Sequence, residues 1–171
     1  NSPDPDRRAP RLTTSAGTME TTTTEETSNM GNRAVIAFQE ENWNTVQPDS
    51  LGIYLHWNGG PESVTAFLDA AKELGVRRED EYGAARLCQI IGNWFGGTLS
   101  IGIGPCRTMD TDNGDNGTYV VDLKNDGWTI ARRIHGSNYG DTAGQSERHD
   151  GILAEVLEVN RPIFQPEKVA S

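Results

Sequence analysis

The chain has 171 residues and a formal net charge of −10, with 15 lysines and arginines against 25 aspartates and glutamates. A protein that binds nucleic acid directly normally carries a basic surface that displaces phosphate counterions, so this charge argues against direct DNA or RNA binding. No apolar run approaches the roughly 18 residues that a membrane-spanning helix needs, which argues against a membrane protein.

Composition divides the chain into a polar start and one globular domain. Residues 1–30 contain no aromatic residue, valine or isoleucine, so we expect a disordered N-terminal tail there. We expect a single domain over residues 31–165 and a flexible C-terminus at residues 166–171. No apolar stretch of signal-peptide length is visible, and Cys88 and Cys106 follow no metal-ligand spacing. We therefore expect reduced thiols and a cytoplasmic location.

Two strands precede the first helix. The segments AVIAF (34–38) and LGIYLHW (51–57) are rich in β-branched and aromatic residues, which favours strands. From Pro61 onward the apolar period becomes helical, and Gly75 stands where a glycine commonly ends a helix. The residues of this helical stripe are Val64, Phe67, Leu68, Ala71 and Leu74.

A second helix is predicted over residues 81–95, EYGAARLCQIIGNWF. Most of its surface is apolar, but Arg86, Gln89 and Asn93 are spaced so that their side chains share one face. This polar stripe is interpreted in two ways. It is the solvent-facing side of an amphipathic helix, or it contributes forked hydrogen-bonding groups to a ligand site.

The rest of the chain reads as three strands and a closing segment. We predict strands at 98–104, 118–123 and 128–134, and favour a helix over a last strand at 152–160. The predicted order is β-β-α-α-β-β-β-α. Because strands and helices occur in blocks, we predict an α+β fold, an antiparallel sheet of about five strands with two or three helices packed on one face.

The corner HWNGGP at residues 56–61 is the main candidate for a site. A strand that enters a helix through glycines directs backbone N–H groups and the positive end of the helix dipole outward, which suits an anion. Asn58 tolerates the left-handed conformation, and His56 could donate to the same anion. The alternative is a structural turn, since Asn-Gly-Gly-Pro is favourable turn chemistry on its own.

We hypothesise that the corner and the polar stripe meet in one ligand pocket, with Trp94, Trp57 or Tyr54 available for stacking. The predicted ligand is a small anionic or nucleotide-like molecule. The predicted ligand-binding residues are His56, Trp57, Asn58, Gly59, Gly60, Arg86, Gln89 and Asn93.

No metal site, cofactor or nucleophile is predicted. Asp110, Asp112 and Asp115 lie in a loop that invites comparison with a calcium site, but Leu123 stands where an EF-hand loop requires glutamate. Asn-Gly pairs in this loop are typical of turns. No nucleophile elbow occurs, and Cys88 falls on an apolar helix face, where cysteine behaves as a small hydrophobe.

Three segments together carry a resemblance to a known group. They read IYLHWNGG, YGAARLCQIIGNWFGGTLSIGI and TDNGDNGTYVV. In this order they resemble segments of small hypothetical proteins of phages and integrative elements of Gram-positive bacteria, over about residues 31–134. That group has no established activity, so the resemblance implies a bacterial or phage accessory protein and assigns no catalytic residues.

Three functions follow as hypotheses. The first is a non-catalytic module that binds a small anionic or nucleotide-like ligand. The second is an acidic protein-interaction factor, such as a DNA mimic that presents carboxylates to a host protein. The third is a hydrolase in which His56 acts as base with an acid from residues 110–115. The expected partners are thus a small ligand or a host protein, with no direct nucleic acid binding and no membrane.

Overall fold

The computed structural model describes residues 32–78, 80–97, 100–122, 124, 128–135 and 147–165. The predicted tail at 1–30 and the predicted C-terminus at 166–171 lie outside these residues. The elements are β1 (Ala34–Gln39), β2 (Leu51–Leu55), α1 (Pro61–Glu73), α2 (Asp80–Phe95), β3 (Ile101–Pro105), a short 3-10 turn (Cys106–Thr108), β4 (Thr118–Asp122), β5 (Thr129–Ile134) and α3 (Glu147–Phe164).

The predicted α+β class is confirmed, but the sheet is mixed and not purely antiparallel as predicted. The strand order is β3-β2-β1-β4-β5, so β1 is central. β1 pairs antiparallel with β2 but parallel with β4, where Ile36 lies opposite Tyr119. The parallel pair arises because the chain crosses through α1 and α2 before β4 joins the far side of β1.

The main core lies between the sheet and the helices. One face of β1 buries Ala34, Ile36 and Phe38 against helical side chains such as Phe67 and Leu87. α1 and α2 contact the strands, and α3 packs on α1 and α2. The segment predicted as a helix or a last strand at 152–160 is the helix α3, as favoured, and α3 is longer than the predicted segment.

The opposite face of the sheet is covered by loops. Val35 and Ala37 pack there with Cys106, and Val46 and Met109 close the cluster from two different loops. This small second core fixes the connection after β3 against the centre of the sheet.

In the described part of the chain, no helix is both long enough and apolar enough to cross a membrane.

Candidate functional site

The corner between β2 and α1 is explained largely by its own packing. Asn58 has a φ of 57°, so it adopts the left-handed conformation that its residue type tolerates. Gly59 donates its N–H to the Asn32 carbonyl at 2.7 Å and accepts the Tyr119 hydroxyl at 2.9 Å. A Cβ on Gly59 would lie 2.6 Å from the Ala34 Cβ, a distance at which only glycine fits. The Gly59 donor is thus committed to the fold and is not available to an anion.

A pocket nevertheless opens beside this corner. It has a volume of about 320 Å³ and brings together the end of β2, the last turn of α2 and the residue before β3. Its walls are mainly aromatic, and Trp57 is 41% exposed there. The lining residues are Trp57, Asn58, Trp94, Phe95 and Ser100. Two of the predicted ligand-binding residues, Trp57 and Asn58, therefore belong to it, and Trp94 supplies the predicted stacking surface.

The aromatic walls are held by their neighbours. The buried Phe67 of α1 packs against Trp94 and Phe95 with ring centroids 5.4 and 6.3 Å away. The Trp94 indole N–H donates to Glu155 Oε2 on α3 at 3.2 Å. This network orients the α2 side of the pocket and leaves aromatic surface to meet a ligand.

His56 positions the other wall. Its ring meets the Trp57 ring edge-on, with centroids 4.9 Å apart and an interplanar angle of 87°. The Tyr54 hydroxyl lies 3.2 Å from His56 Nδ1 and steadies the imidazole. We therefore assign His56 to the support of Trp57, and its predicted role as a ligand donor stays a prediction.

The polar stripe of α2 does not join this pocket. Arg86 precedes Phe95 by about 13 Å along the helix axis. It bonds to Gln89 within the helix at 2.8 Å and lines a different depression, of about 220 Å³, with Tyr82 and Phe164. Arg86 and His56 therefore do not line one pocket, because Arg86 lies more than two helical turns before the end of α2 that reaches the corner.

Asn93 serves the contact between helices. Its amide donates to Asn160 Oδ1 on α3 at 2.9 Å. Asn160 is fully buried and donates to the carbonyls of Ile90 and Val156. A buried amide needs such partners, so Asn93 is explained by the α2–α3 interface. Gly60, another predicted ligand residue, is the N-cap of α1.

The geometry gives little support to a hydrolase. The acid loop lies near His56, but the Asp115 carboxylate accepts the Arg33 Nε–H at 2.7 Å and also the Arg33 backbone N–H. The hydrogen bond from Arg33 chiefly lowers the pKa of Asp115, and His56 adds a smaller electrostatic contribution. A carboxylate committed to an arginine is a poor orienting partner for a catalytic histidine.

The 110–117 loop is organised by the Asn113 amide. Asn113 is buried, and its side chain bonds to the Asp110 carbonyl, to both backbone groups of Gly117 and to the Asp115 N–H. Gly117 has a φ of 67°. Within the described ranges, no group of three or more His, Cys, Asp or Glu side chains is placed to hold a metal ion.

Three carboxylates on the loops of the protein are paired with cations. Each of three salt bridges joins a carboxylate from one loop to a cation from another part of the chain. These three carboxylates are therefore at least partly compensated, whereas a DNA mimic presents uncompensated ones. The pairs are Glu41 with Lys124, Asp49 with Arg107, and Asp110 with Arg33.

Neither cysteine has the environment of a reactive thiol. Both are free, and burial raises the pKa of Cys88 and raises the pKa of Cys106 to about 11. Reactive cysteines have lowered pKa values because the thiolate is the nucleophile. Cys88 packs against the main core, and Cys106 lies in the small second core on the opposite face of the sheet.

Sequence reasoning missed Phe95 and Ser100 as pocket residues. Phe95 was indistinguishable from the apolar residues around it, because helical periodicity does not tell a core aromatic from one at the rim. Ser100 had no signal at all, since its place beside Asn58 follows from the antiparallel pairing of β2 and β3.

Comparison of the chain with protein-family models, with curated proteins and with solved structures gives no match. The function is accordingly inferred from the residues and geometry of the site itself.

Proposed function

We propose that the protein is a non-catalytic binding module whose aromatic pocket accepts a planar ring, of the size and chemistry of a nucleobase or nucleoside. The observation that carries the proposal is the pairing of an exposed Trp57 with Trp94 and Phe95 around one opening. Stacking of a base on an aromatic side chain contributes about 1–3 kcal/mol. The Asn58 amide and the Ser100 hydroxyl add the polar groups that would read the edge of the ring.

The charges around the pocket favour a nucleobase or nucleoside over a ligand that carries a phosphate. No lysine or arginine is among its lining residues, whereas Glu155 approaches the wall through Trp94. Among the described residues that line the pocket, a phosphate would find no cation to neutralise it. The lack of a cation in the lining narrows the small anionic or nucleotide-like ligand expected from the sequence to a nucleobase or nucleoside. The role of a bacterial or phage accessory protein stays a prediction.

The test is a titration of the full chain with adenosine, guanosine, cytidine and uridine, followed by tryptophan fluorescence and thermal shift. We expect saturable quenching and stabilisation by at least one nucleoside, and weaker binding of its monophosphate. Trp57→Ala should raise the dissociation constant by about tenfold to a hundredfold, the equivalent of one lost stacking contact.

Trp43→Ala is the matched control, because Trp43 is 37% exposed but does not line the pocket. Arg86→Ala should also leave binding unchanged. The proposal is wrong if none of the four nucleosides binds, or if Trp43→Ala weakens binding as much as Trp57→Ala does.

A further inference from the structure

The two edges of the sheet differ in their protection against further strand pairing. At the β5 edge, the register with β4 shifts between Val120 and Val121, and Arg132 is exposed on the strand. Bulges and charged side chains are common devices that keep an edge from pairing with other strands. β3, at the other edge, reads Ile-Gly-Ile-Gly-Pro and pairs with β2 without any shift of register. The β3 edge therefore lacks both devices.

The hydrogen bonds of β2 and β3 show which backbone groups face outward. The His56 N–H donates to the Ser100 carbonyl at 2.9 Å. In an antiparallel pair, hydrogen-bonded residues alternate with residues that are not bonded to the partner strand. Ser100 and Gly102 thus turn their backbone groups toward β2, while Ile101 and Ile103 turn theirs away from it.

The outward groups form a short, well-defined edge. Ile101 and Ile103 together offer two N–H donors and two carbonyl acceptors, and in the described part of the chain β2 is the only strand beside β3. Pro105 ends this edge, because it has no N–H and its carbonyl accepts the Thr108 hydroxyl at 2.8 Å. The pattern of donors and acceptors is symmetric about Gly102.

We infer that β3 pairs antiparallel with β3 of a second copy of this chain, about a two-fold axis at Gly102. In this register Ile101 of each copy lies opposite Ile103 of the other, so every outward donor and acceptor of the two residues is bonded. Gly102 meets its own copy in a non-hydrogen-bonded pair, where Cα atoms approach to about 4.5 Å. Glycine suits that approach, and the nearest atom to its missing Cβ is the Tyr54 Cβ at 4.0 Å.

The side chains and charges fit the same partner. Ile103 is 48% exposed, and since it lies opposite Ile53 it points to the helix face of the sheet. Pairing places it against Ile101 of the other copy and removes this apolar surface from water. Residues 100–106 carry no charge, so the two copies meet without a like-charge contact despite a net charge of −10 each.

The extent of this edge sets the strength of the dimer. A stable interface buries about 800 Å² per partner, and the edge of one five-residue strand is smaller than that. The dimer should therefore dissociate on dilution, and the measurement must span a wide range of protein concentration.

Sedimentation velocity of the full chain, from low micromolar to near-millimolar concentration, tests the pairing. We expect the mass to rise from that of one chain to that of two, and the amides of Ile101 and Ile103 to exchange more slowly at high concentration. Ile103→Lys should raise the dissociation constant by about tenfold or more, because it replaces an apolar contact with a charge at the edge.

Ile163→Lys is the matched control, because Ile163 is 52% exposed but lies on α3. It should leave the dimer intact, and circular dichroism confirms that both variants fold. A chain that stays monomeric at every concentration overturns the inference and leaves the edge for another protein's strand. A dimer that Ile103→Lys does not weaken, or that Ile163→Lys weakens as much, overturns it as well.

Discussion

Two adjacent glycines of the corner have different requirements. A side chain on Gly59 would collide with Ala34 and with the Asn32 backbone, whereas the nearest atom to a Cβ on Gly60 is 3.5 Å away. We expect Gly59→Ala to lower the free energy of unfolding by about 2 kcal/mol or more, since the neighbours that it meets are backbone and core atoms. Gly60→Ala should cost less than about 1 kcal/mol, which is the loss of a glycine N-cap. Denaturant titration of both variants measures the difference, and equal losses would contradict it.

His149 is a buried histidine between two carboxylates. It is 3% exposed, and its Nε2 and Nδ1 lie 2.9 Å from Asp69 Oδ2 and Asp150 Oδ1. A ring nitrogen donates only when it carries a proton, so both bonds together require the imidazolium form. Burial lowers the pKa of His149, but the hydrogen bonds to Asp150 and Asp69 outweigh it, and the pKa is raised above 6.5.

This raised pKa predicts a stability that depends on pH. The contribution of His149 is fully present below the pKa of the unfolded chain and is lost as pH rises through the higher folded value. Replacement of His149 by Gln should therefore destabilise the protein more near pH 5 than near pH 9. NMR titration should show a lower imidazole pKa in Asp69→Asn and no change in Asp49→Asn, a remote control. A wild-type pKa at or below the ordinary value would refute the prediction.

Among the helices, the contact between α2 and α3 depends on a pair of amides, the buried Asn160 and the partly buried Asn93. Asn160→Ala should lower the free energy of unfolding by about 1–3 kcal/mol, because it leaves the Asn93 amide without its partner and removes the side-chain donor from two helix carbonyls. Arg86→Ala, on the same helix as Asn93, should stay within about 0.5 kcal/mol, since its bond to Gln89 is exposed. Thermal and denaturant unfolding of both variants test whether Asn93 of the polar stripe stabilises the helix contact while Arg86 does not. Similar losses would show that the stripe acts as one unit.

Local patterns predicted the elements well. The helical period from Pro61, with Gly75 after it, matches α1, and Gly75 has the φ of 67° expected of a glycine that ends a helix. The predicted second helix differs from α2 by one residue at its start. β2 ends at Leu55, two residues before its predicted end, because His56 and Trp57 belong to the corner and the pocket wall. Periodicity reports which side chains of one helix or strand are buried. It therefore predicts the bounds of single elements well.

The site was predictable only in part, for the same reason. Trp57 and Asn58 stood out because both flank a strand-to-helix turn, and Trp94 was recognised as a stacking surface. Arg86 was misplaced because residues that share a helix face still extend far along the axis. Ser100 was missed because only strand pairing brings it to the corner.

For the molecule as a whole, the described part of the chain begins at residue 32, and its first residues contact two loops. Arg33 binds Asp115 at 2.7 Å and the Asn113 carbonyl at 2.6 Å, and the Asn32 carbonyl accepts Gly59. We expect a chain that starts at Met30 to keep the melting temperature of the full chain, because the composition of residues 1–30 cannot support a core. A chain that starts at Ala34 should melt several degrees lower, since it loses these bonds to two loops. Calorimetry decides, and an equal loss in both shortened chains would show that residues 1–30 contribute to stability.

The mixed sheet is the feature that sequence could not supply. Each strand of the sheet was recognisable, but whether β1 meets β4 in parallel depends on the path of the chain through α1 and α2. No local signal in AVIAF or TYVVD states which neighbour each strand will have. Pairing is decided by the burial of whole faces, so the fold class could be predicted and the direction of its central pair could not.

The parallel pairing of β1 with β4 has a consequence for synthesis on the ribosome. β1 is buried along its whole length, and its two neighbours are made at very different times. β2 follows almost at once, but β4 lies about eighty residues further along, roughly ten seconds later at ordinary rates of translation. During that interval the strand that will be central has one edge of unpaired backbone N–H and C=O groups, and its apolar side chains are not yet fully covered. The nascent chain thus cannot complete its core until most of it has been translated, and the wait exposes the segment AVIAF to chaperones or to aggregation.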